Sequence, residues 1–414
     1  MSSAQIVSPA VVIGDLIDSP QVRRAFEFVD AQLDQITEEQ IRICSIPAPP
    51  FGEHERAEYL RQRFRKSGLT SAKIDEEGNC VALRRGHSAS PLLVVSAHLD
   101  TVFPADTDVT VRREGGKLLA PGISDDGCGL VALTAIADAL DAAGIKTAGS
   151  LLFVGTVGEE GEGNLRGVRH LLTHGEWANS IDAFLSFDGH GMERITNRAL
   201  GSRRYRVHLR GPGGHSWSDF GMANPVHALG RAVTRIASYP APTEPRTTFN
   251  VGRIEGGSSI NAIPQEATMD VDLRSSDSQE LLKLDAFFRR AMREAANDEN
   301  AMRRNGGPPL ELKVDLIGER PGGETPSDVP LVRFAWEATQ ALGGKPALDQ
   351  ASTDSNLPIS LNIAAVTLGA GGTAGNAHSL DEWYDPRGRE VGLKRGLLVI
   401  LAVAGLRNRD AGKG

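Results

Sequence analysis

The residues of this chain best suited to chemistry are histidines and carboxylates placed just after apolar runs. His98 and Asp100 follow the run Leu92 to Val95 in LLVVSAHLDTVFP. Two apart in extended chain, they point to the same side. They read either as a metal ligand with its orienting group or as a satisfied histidine at a strand end. Further along, Asp125 and Asp126 stand in APGISDDGCG, Glu159 and Glu160 in GTVGEEGEG, Asp188 in SFDG and His378 in GAGGTAGNAHSLDEW. Singly, such acids are ordinary solvated loop charges. Gathered in one crevice, they would repel unless a cation neutralised them. Mixed histidine and carboxylate ligands suit zinc or a similar divalent ion better than calcium, and there are ligands enough for two. Two cations sharing a carboxylate lower the pKa of a water and polarise a carbonyl.

Elements that would position these residues follow from the hydrophobic patterning. The runs Leu92 to Val95, Ser150 to Val157, Ile181 to Phe187 and Ile363 to Leu368 lack polar alternation, as in strands buried on both faces of a parallel sheet. The first three end in acidic residues, where open α/β sheets keep their ligands. Helices are expected over Pro20 to Leu33, from a T-x-x-Q capping box at Thr37 to Cys44, and over Glu53 to Lys66, Leu130 to Ala143, Pro330 to Leu342 and Gly388 to Leu406. Residues 1 to about 19 read as a loosely packed extension, and IPAPPFG, Ile46 to Gly52, as a proline-rich loop.

The pattern changes near Gly201. Strands over Arg204 to Arg210, Thr247 to Glu255, Ala267 to Ser275 and Leu310 to Ile317 enclose helices over Asn224 to Ser238 and Ser278 to Ala296. This β-α-β-β-α-β order fits a ferredoxin-like insert. The expected fold class is therefore α/β: a mainly parallel-sheet catalytic domain over 1–200 and 319–414, split by an inserted α+β domain over 201–318.

Composition narrows the function. A length of 414 residues implies more than one core. The net charge of −8 offers no basic surface to nucleic acid. No apolar run is long enough for a membrane span, and the N-terminus makes a poor signal peptide. Three widely spaced cysteines, Cys44, Cys80 and Cys128, argue against a disulfide framework and for a reducing cytosol, so a cytoplasmic protein is expected.

These motifs, in this order, resemble the metallopeptidase family of carboxypeptidase G2, peptidase T and succinyl-diaminopimelate desuccinylase (M20). SAHLDTVFP matches H-x-D-x-V-x-P, APGISDDGCG matches G-x-x-D-D-x-x-G, and GTVGEEGEG, SFDG and GAGGTAGNAHSLDEW match the later motifs. The resemblance spans almost the whole chain after residue 20. It implies a zinc-peptidase fold whose inserted domain acts as lid or dimerisation module. It implies two divalent metal ions, zinc first, with cobalt or manganese as alternatives. His98 and Asp188 would bind one, Glu160 and His378 the other, and Asp125 both, through a cis peptide to Asp126. Asp100 would orient the His98 ring. Glu159 would be the general base, taking the proton of the metal-bridging water and passing it to the leaving amine. His215, in GPGGHS, would stabilise the oxyanion, often in a neighbouring subunit. Asn261 and Arg274 match positions that hold substrate carbonyl or carboxylate, although Arg274 also reads as a structural ion pair.

One departure is Gly127-Cys128 after the two aspartates, where many members carry Lys-Gly. Cys128 reads as a small buried residue rather than a ligand or nucleophile. The loop Ser352 to Asn356 resembles one bordering the family's pocket, with Asp354 as a specificity residue. The expected function is hydrolysis of short peptides by a peptidase T-like aminopeptidase. The alternative within the family is an N-acyl- or N-carbamoyl-amino-acid amidohydrolase or carboxypeptidase. A non-catalytic binding descendant should have lost ligands or base, and none is missing. Phosphoester hydrolysis lacks its glycine-rich phosphate loop here. The expected partners are the peptide or N-acyl amino acid substrate and a second copy through the insert.

Overall fold

The computed structural model describes residues 7–304 and 306–407. The chain divides into two compact units: one runs up to Ala199 and resumes at Glu324, and the other comprises Leu200–Gly323. The second boundary lies beyond 318 because the last strand of the insert runs on to Arg320.

The larger unit is built on a nine-stranded sheet. Its centre is four parallel strands in the order Ser150–Thr156, Leu92–His98, Ala183–Phe187, Ala364–Leu368. Every residue of the first three is buried, which is why their sequences carry no polar alternation. Cys80–Arg84 pairs antiparallel outside Ser150–Thr156. On the other side Arg194–Ala199 pairs antiparallel with Ala364–Leu368 and parallel with Ala347–Ala351. Because the four central strands are parallel, their carboxyl ends open along one edge, and the candidate ligands follow them there.

Helix Gly127–Ala142 is apolar nearly all round and almost wholly buried, as befits a helix with no face left for water. Gly127 at its start is dictated by space: a Cβ there would lie 2.3 Å from Cys44 Sγ. Helix Arg389–Ala404 approaches the sheet closely at Gly396, where a Cβ would lie 2.5 Å from Phe187.

Some local expectations are corrected. Pro9–Asp18, within the expected loose extension, is a helix that buries Ile13 and Leu16 and packs on helices Pro330–Ala341 and Arg389–Ala404. Residues 1–6 lie outside the described residues. The helix ending at Cys44 begins at Leu33, not at a cap on Thr37, whose hydroxyl donates to Leu33 O at 2.9 Å inside the helix. Strands Arg194–Ala199 and Ala347–Ala351 and helix Arg166–Thr173 were not foreseen. The first two alternate polar and apolar residues too weakly to stand out.

The smaller unit has a four-stranded antiparallel sheet in the order Thr247–Gly256, Glu266–Ser275, Gly201–Arg210, Glu311–Arg320. Helices Pro225–Ala237 and Ser278–Ala301 cover one face, with Tyr205, Val207, Leu209, Met269, Val271, Leu273 and Phe288 in the core between. Each helix is capped by an aspartate or asparagine, Asn224 and Asp277. In chain order this is β-α-β-β-α-β, the ferredoxin-like arrangement.

Candidate metal centre

Four loops meet at the carboxyl edge of the parallel strands. His98 is the last residue of its strand. Glu159 and Glu160 follow Ser150–Thr156, and Asp188 follows Ala183–Phe187. Asp125 ends the loop into helix Gly127–Ala142, and its peptide to Asp126 is cis. His378 lies between the small strands Thr373–Gly375 and Trp383–Asp385, in a backbone with φ of +65°. A non-glycine residue is held there only where its surroundings require it, as at ligand sites.

Asp125 is the centre of this arrangement. Its Oδ1 lies 3.0 Å from His98 Nε2, and its Oδ2 lies 2.9 Å from His378 Nε2. The same His378 nitrogen is 2.9 Å from Glu160 Oε1. Donor atoms of His98, Asp125 and Glu160 all lie within 4.8 Å of one another. A carboxylate with each oxygen turned to a different histidine is a donor set suited to a divalent metal. Burial, and then the charge of Asp125, raises the Asp188 carboxyl to about 6.

Protonation shows how much positive charge the cluster calls for. Hydrogen bonds to Asp125 and Glu160 push His378 up to about 10. Burial pulls His98 down, but Asp100, Asp125 and Asp126 outweigh it and hold the ring well above its usual range. Burial raises Asp126 far above the carboxylate range, reinforced by Asp188 and Asp125. Histidines raised by the acids around them mark a pocket that favours positive charge, and the donor chemistry fits divalent metals.

The supporting groups are buried polar side chains with fixed partners. The Asp100 carboxylate accepts from the amides of Glu159 at 2.9 Å and Glu160 at 2.7 Å. Its backbone carbonyl lies 2.9 Å from His98 Nδ1, while its carboxylate is 3.7 Å away. The ring is therefore oriented chiefly by the main chain of Asp100, and the carboxylate holds the acidic turn. Asp126 caps helix Gly127–Ala142 through Gly129 N at 3.0 Å and also accepts from His98 N and Gly189 N, both at 3.2 Å. Glu382 accepts from the amides of Gly122, Ser124 and Asp125 at 2.8–3.0 Å. Gln40 donates to Ile123 O at 2.6 Å and is itself held by Arg389. Among these, Glu382 and Gln40 escaped sequence reasoning as site residues, as did the helix cap that Asp126 provides. Glu382 had a signal, the acid four residues after His378; Gln40 had none.

Two other expectations resolve here. Cys128 is buried, and its thiol donates to Ser124 O at 2.9 Å; burial raises it far above the thiol range, which suits neither ligand nor nucleophile. Asp354, expected at a pocket border, is buried and accepts from the Thr156 hydroxyl at the end of strand Ser150–Thr156.

Within the smaller unit, His215 and Asn261 come together. Gly214–His215 pairs with Ala262–Ile263, and Asn261 O accepts from Ser216 N at 2.9 Å. His215 is exposed, and its Nδ1 accepts from Trp217 N at 3.1 Å. A ring that accepts at Nδ1 has Nε2–H as its donor. Arg274 stands near the other end of strand Glu266–Ser275, roughly 25 Å away at strand rise. Its Nε donates to Asp272 Oδ2 at 2.6 Å, an ion pair that leaves the outer nitrogens of the fork available.

Fold and ligand set together define a class, the metal-dependent hydrolases. Comparison narrows it. The chain belongs to peptidase family M20/M25/M40, whose model matches residues 94–403, and with that family it is a metal-dependent amide hydrolase. A succinyl-diaminopimelate desuccinylase of Corynebacterium glutamicum is 26% identical over 58% of this chain and 66% of its own length, just under two thirds. The fold matches aminopeptidase PepT of Bacillus cereus with a TM-score of 0.71 at 20% identity, over 90% of this chain and 99% of that one. It also matches a dinuclear metal-binding M20 peptidase of Bacillus subtilis with a TM-score of 0.65 at 17% identity, over 91% and 99%. No helix among the described residues is long and apolar enough to cross a membrane.

Proposed function

We propose that this protein is a two-metal hydrolase of short peptides, an aminopeptidase of the peptidase T kind. The observation that carries this reading is the Asp125 carboxylate set between His98 and His378. In it, His98 and Asp188 would hold one ion and Glu160 and His378 the other, with Asp125 as the shared ligand and zinc as the ion these donors suit best. Such ions, when bound, polarise the scissile carbonyl and ready a water for attack. Glu159, buried and fixed by its amide to Asp100, takes a proton from the attacking water on a carboxylate oxygen. It then gives that proton to the nitrogen of the leaving amine. His215 Nε2–H donates to the carbonyl oxygen as charge develops there. Asn261, beside His215, holds the substrate's carbonyl, and Arg274 its carboxylate; set roughly 25 Å apart along the strand, they serve one short substrate only from two different copies of the chain.

The inserted unit is assigned to dimerisation. Strand Thr247–Gly256 is the edge of its sheet and exposes Ile254, a template for pairing with a second copy. A cytosolic setting completes the reading and suits three free, buried cysteines. The similarity to a desuccinylase favours a second reading, hydrolysis of N-acyl or N-carbamoyl amino acids.

The test is Glu159→Gln assayed on di- and tripeptides beside N-acyl and N-carbamoyl amino acids, with zinc or cobalt supplied. Unchanged metal content with turnover abolished supports the general-base role; full activity refutes it. The substrate series that wild type turns over decides between the two readings.

A further inference from the structure

Phe51 combines two costs that folding alone does not explain. Its side chain is 68% exposed, and its φ is +69°, a left-handed conformation that bulky residues adopt only under constraint. Glycine would sit there without strain. The loop around it is nonetheless rigid. Gly52 N donates to Pro49 O at 2.8 Å, and Thr101 N donates to Ala48 O at 2.8 Å. Arg56 donates to Ile46 O at 3.0 Å and to Leu99 O at 2.7 Å. The loop is thereby anchored to the segment that carries His98 and Asp100.

On its other side the ring lies over the Arg166 guanidinium, 4.9 Å from its centroid. Arg166 is itself pinned by Glu53 at 2.7 Å and Glu77 at 2.9 Å. Its stem lies against Gly158, where a Cβ would meet Arg166 Cγ at 2.7 Å. Gly158 directly precedes Glu159. One fixed side chain thus separates the Phe51 ring from the turn bearing Glu159 and Glu160. A phenylalanine kept for packing would be buried; this one is exposed in a left-handed conformation, with the Arg166 side chain between it and the turn of Glu159.

We infer that Phe51 is a specificity-determining residue: its ring is the apolar wall for the substrate side chain next to the scissile amide, favouring bulky apolar residues over small ones. The inference rests on the amide-hydrolase reading above. It is tested by measuring kcat/KM on matched pairs, Leu-Gly against Ala-Gly and N-acetyl-leucine against N-acetyl-alanine, for wild type, Phe51→Ala and Phe51→Leu. In the class turned over, Phe51→Ala is expected to lower the leucine-to-alanine ratio about tenfold, the scale of a lost apolar contact, and Phe51→Leu to restore most of it. An unchanged ratio, including an equal loss on both members of a pair, overturns the assignment of Phe51 alone. Failure of wild type to hydrolyse either pair overturns the amide-hydrolase reading and this assignment with it.

Discussion

Replacing Asp100 by asparagine isolates what holds the acidic turn. The substitution keeps size and shape, and it keeps the backbone carbonyl that orients His98 at 2.9 Å. It changes only the carboxylate, whose two oxygens accept from Glu159 N at 2.9 Å and Glu160 N at 2.7 Å. Hydrogen bonds to a charged group contribute about 1.5–3 kcal/mol each. Asparagine accepts from one amide and turns a donor toward the other, leaving a buried N–H without an acceptor. The expected loss is about 3–5 kcal/mol of stability in the metal-free protein. Because Glu160 is an expected ligand, metal affinity should also fall by roughly 10–100-fold. Urea unfolding followed by circular dichroism in chelator reads the first, and competition with a chromophoric zinc chelator reads the second. A loss below about 1 kcal/mol with unchanged zinc affinity would show that these two bonds do not fix the turn.

Three further outcomes are expected. His378→Ala should retain the fold, since the ring is half exposed, but lose one metal equivalent by elemental analysis; undiminished stoichiometry would remove His378 from the ligand set. A His215→Ala chain mixed with a Glu159→Gln chain should regain activity if His215 serves a second copy; proven mixed dimers without recovery, or a monomeric mass by light scattering, would refute that. Cys44, Cys80 and Cys128 are buried and free, and burial pushes the Cys44 thiol up to about 12. Native protein at pH 8 should therefore resist thiol reagents and react at three positions only once unfolded; fast native labelling would contradict the packing around helix Gly127–Ala142.

His98, Glu159, Glu160 and Asp188 were legible because each stands just past an uninterrupted apolar run, and a parallel sheet turns chain position into spatial convergence. His378 shows the limit. Its run ends at Leu368, and a small separate sheet brings the histidine back to Asp125, so only motif resemblance could flag it. The supports were harder to see. Asp126 and Glu382 look like loop charges in sequence, and their importance comes from the backbone amides they face, which no spacing reveals. Pro9–Asp18 was misjudged because its two buried residues owe their burial to helices more than three hundred residues away. The Thr37 cap failed for a local reason: the helical pattern extends back to Leu33, and a threonine inside a helix satisfies its hydroxyl on the preceding turn.

The parallel pairing of Ala183–Phe187 with Ala364–Leu368 sets an order of events during synthesis. When Phe187 leaves the ribosome, the strand that pairs beside its own, Ala364–Leu368, is still roughly 180 residues from being made, about 10–35 seconds at usual elongation rates. Through that interval the nascent sheet has an open apolar edge, and Asp125 has His98 but not His378. The contiguous segment Leu200–Gly323 meanwhile contains all four strands of its own sheet and can close it first. A chain that stalls after the insert would carry a finished inner module beside an unfinished, aggregation-prone catalytic sheet. Full metal uptake would then wait for the second part of the catalytic sheet, because the histidine opposite His98 is translated only after the insert.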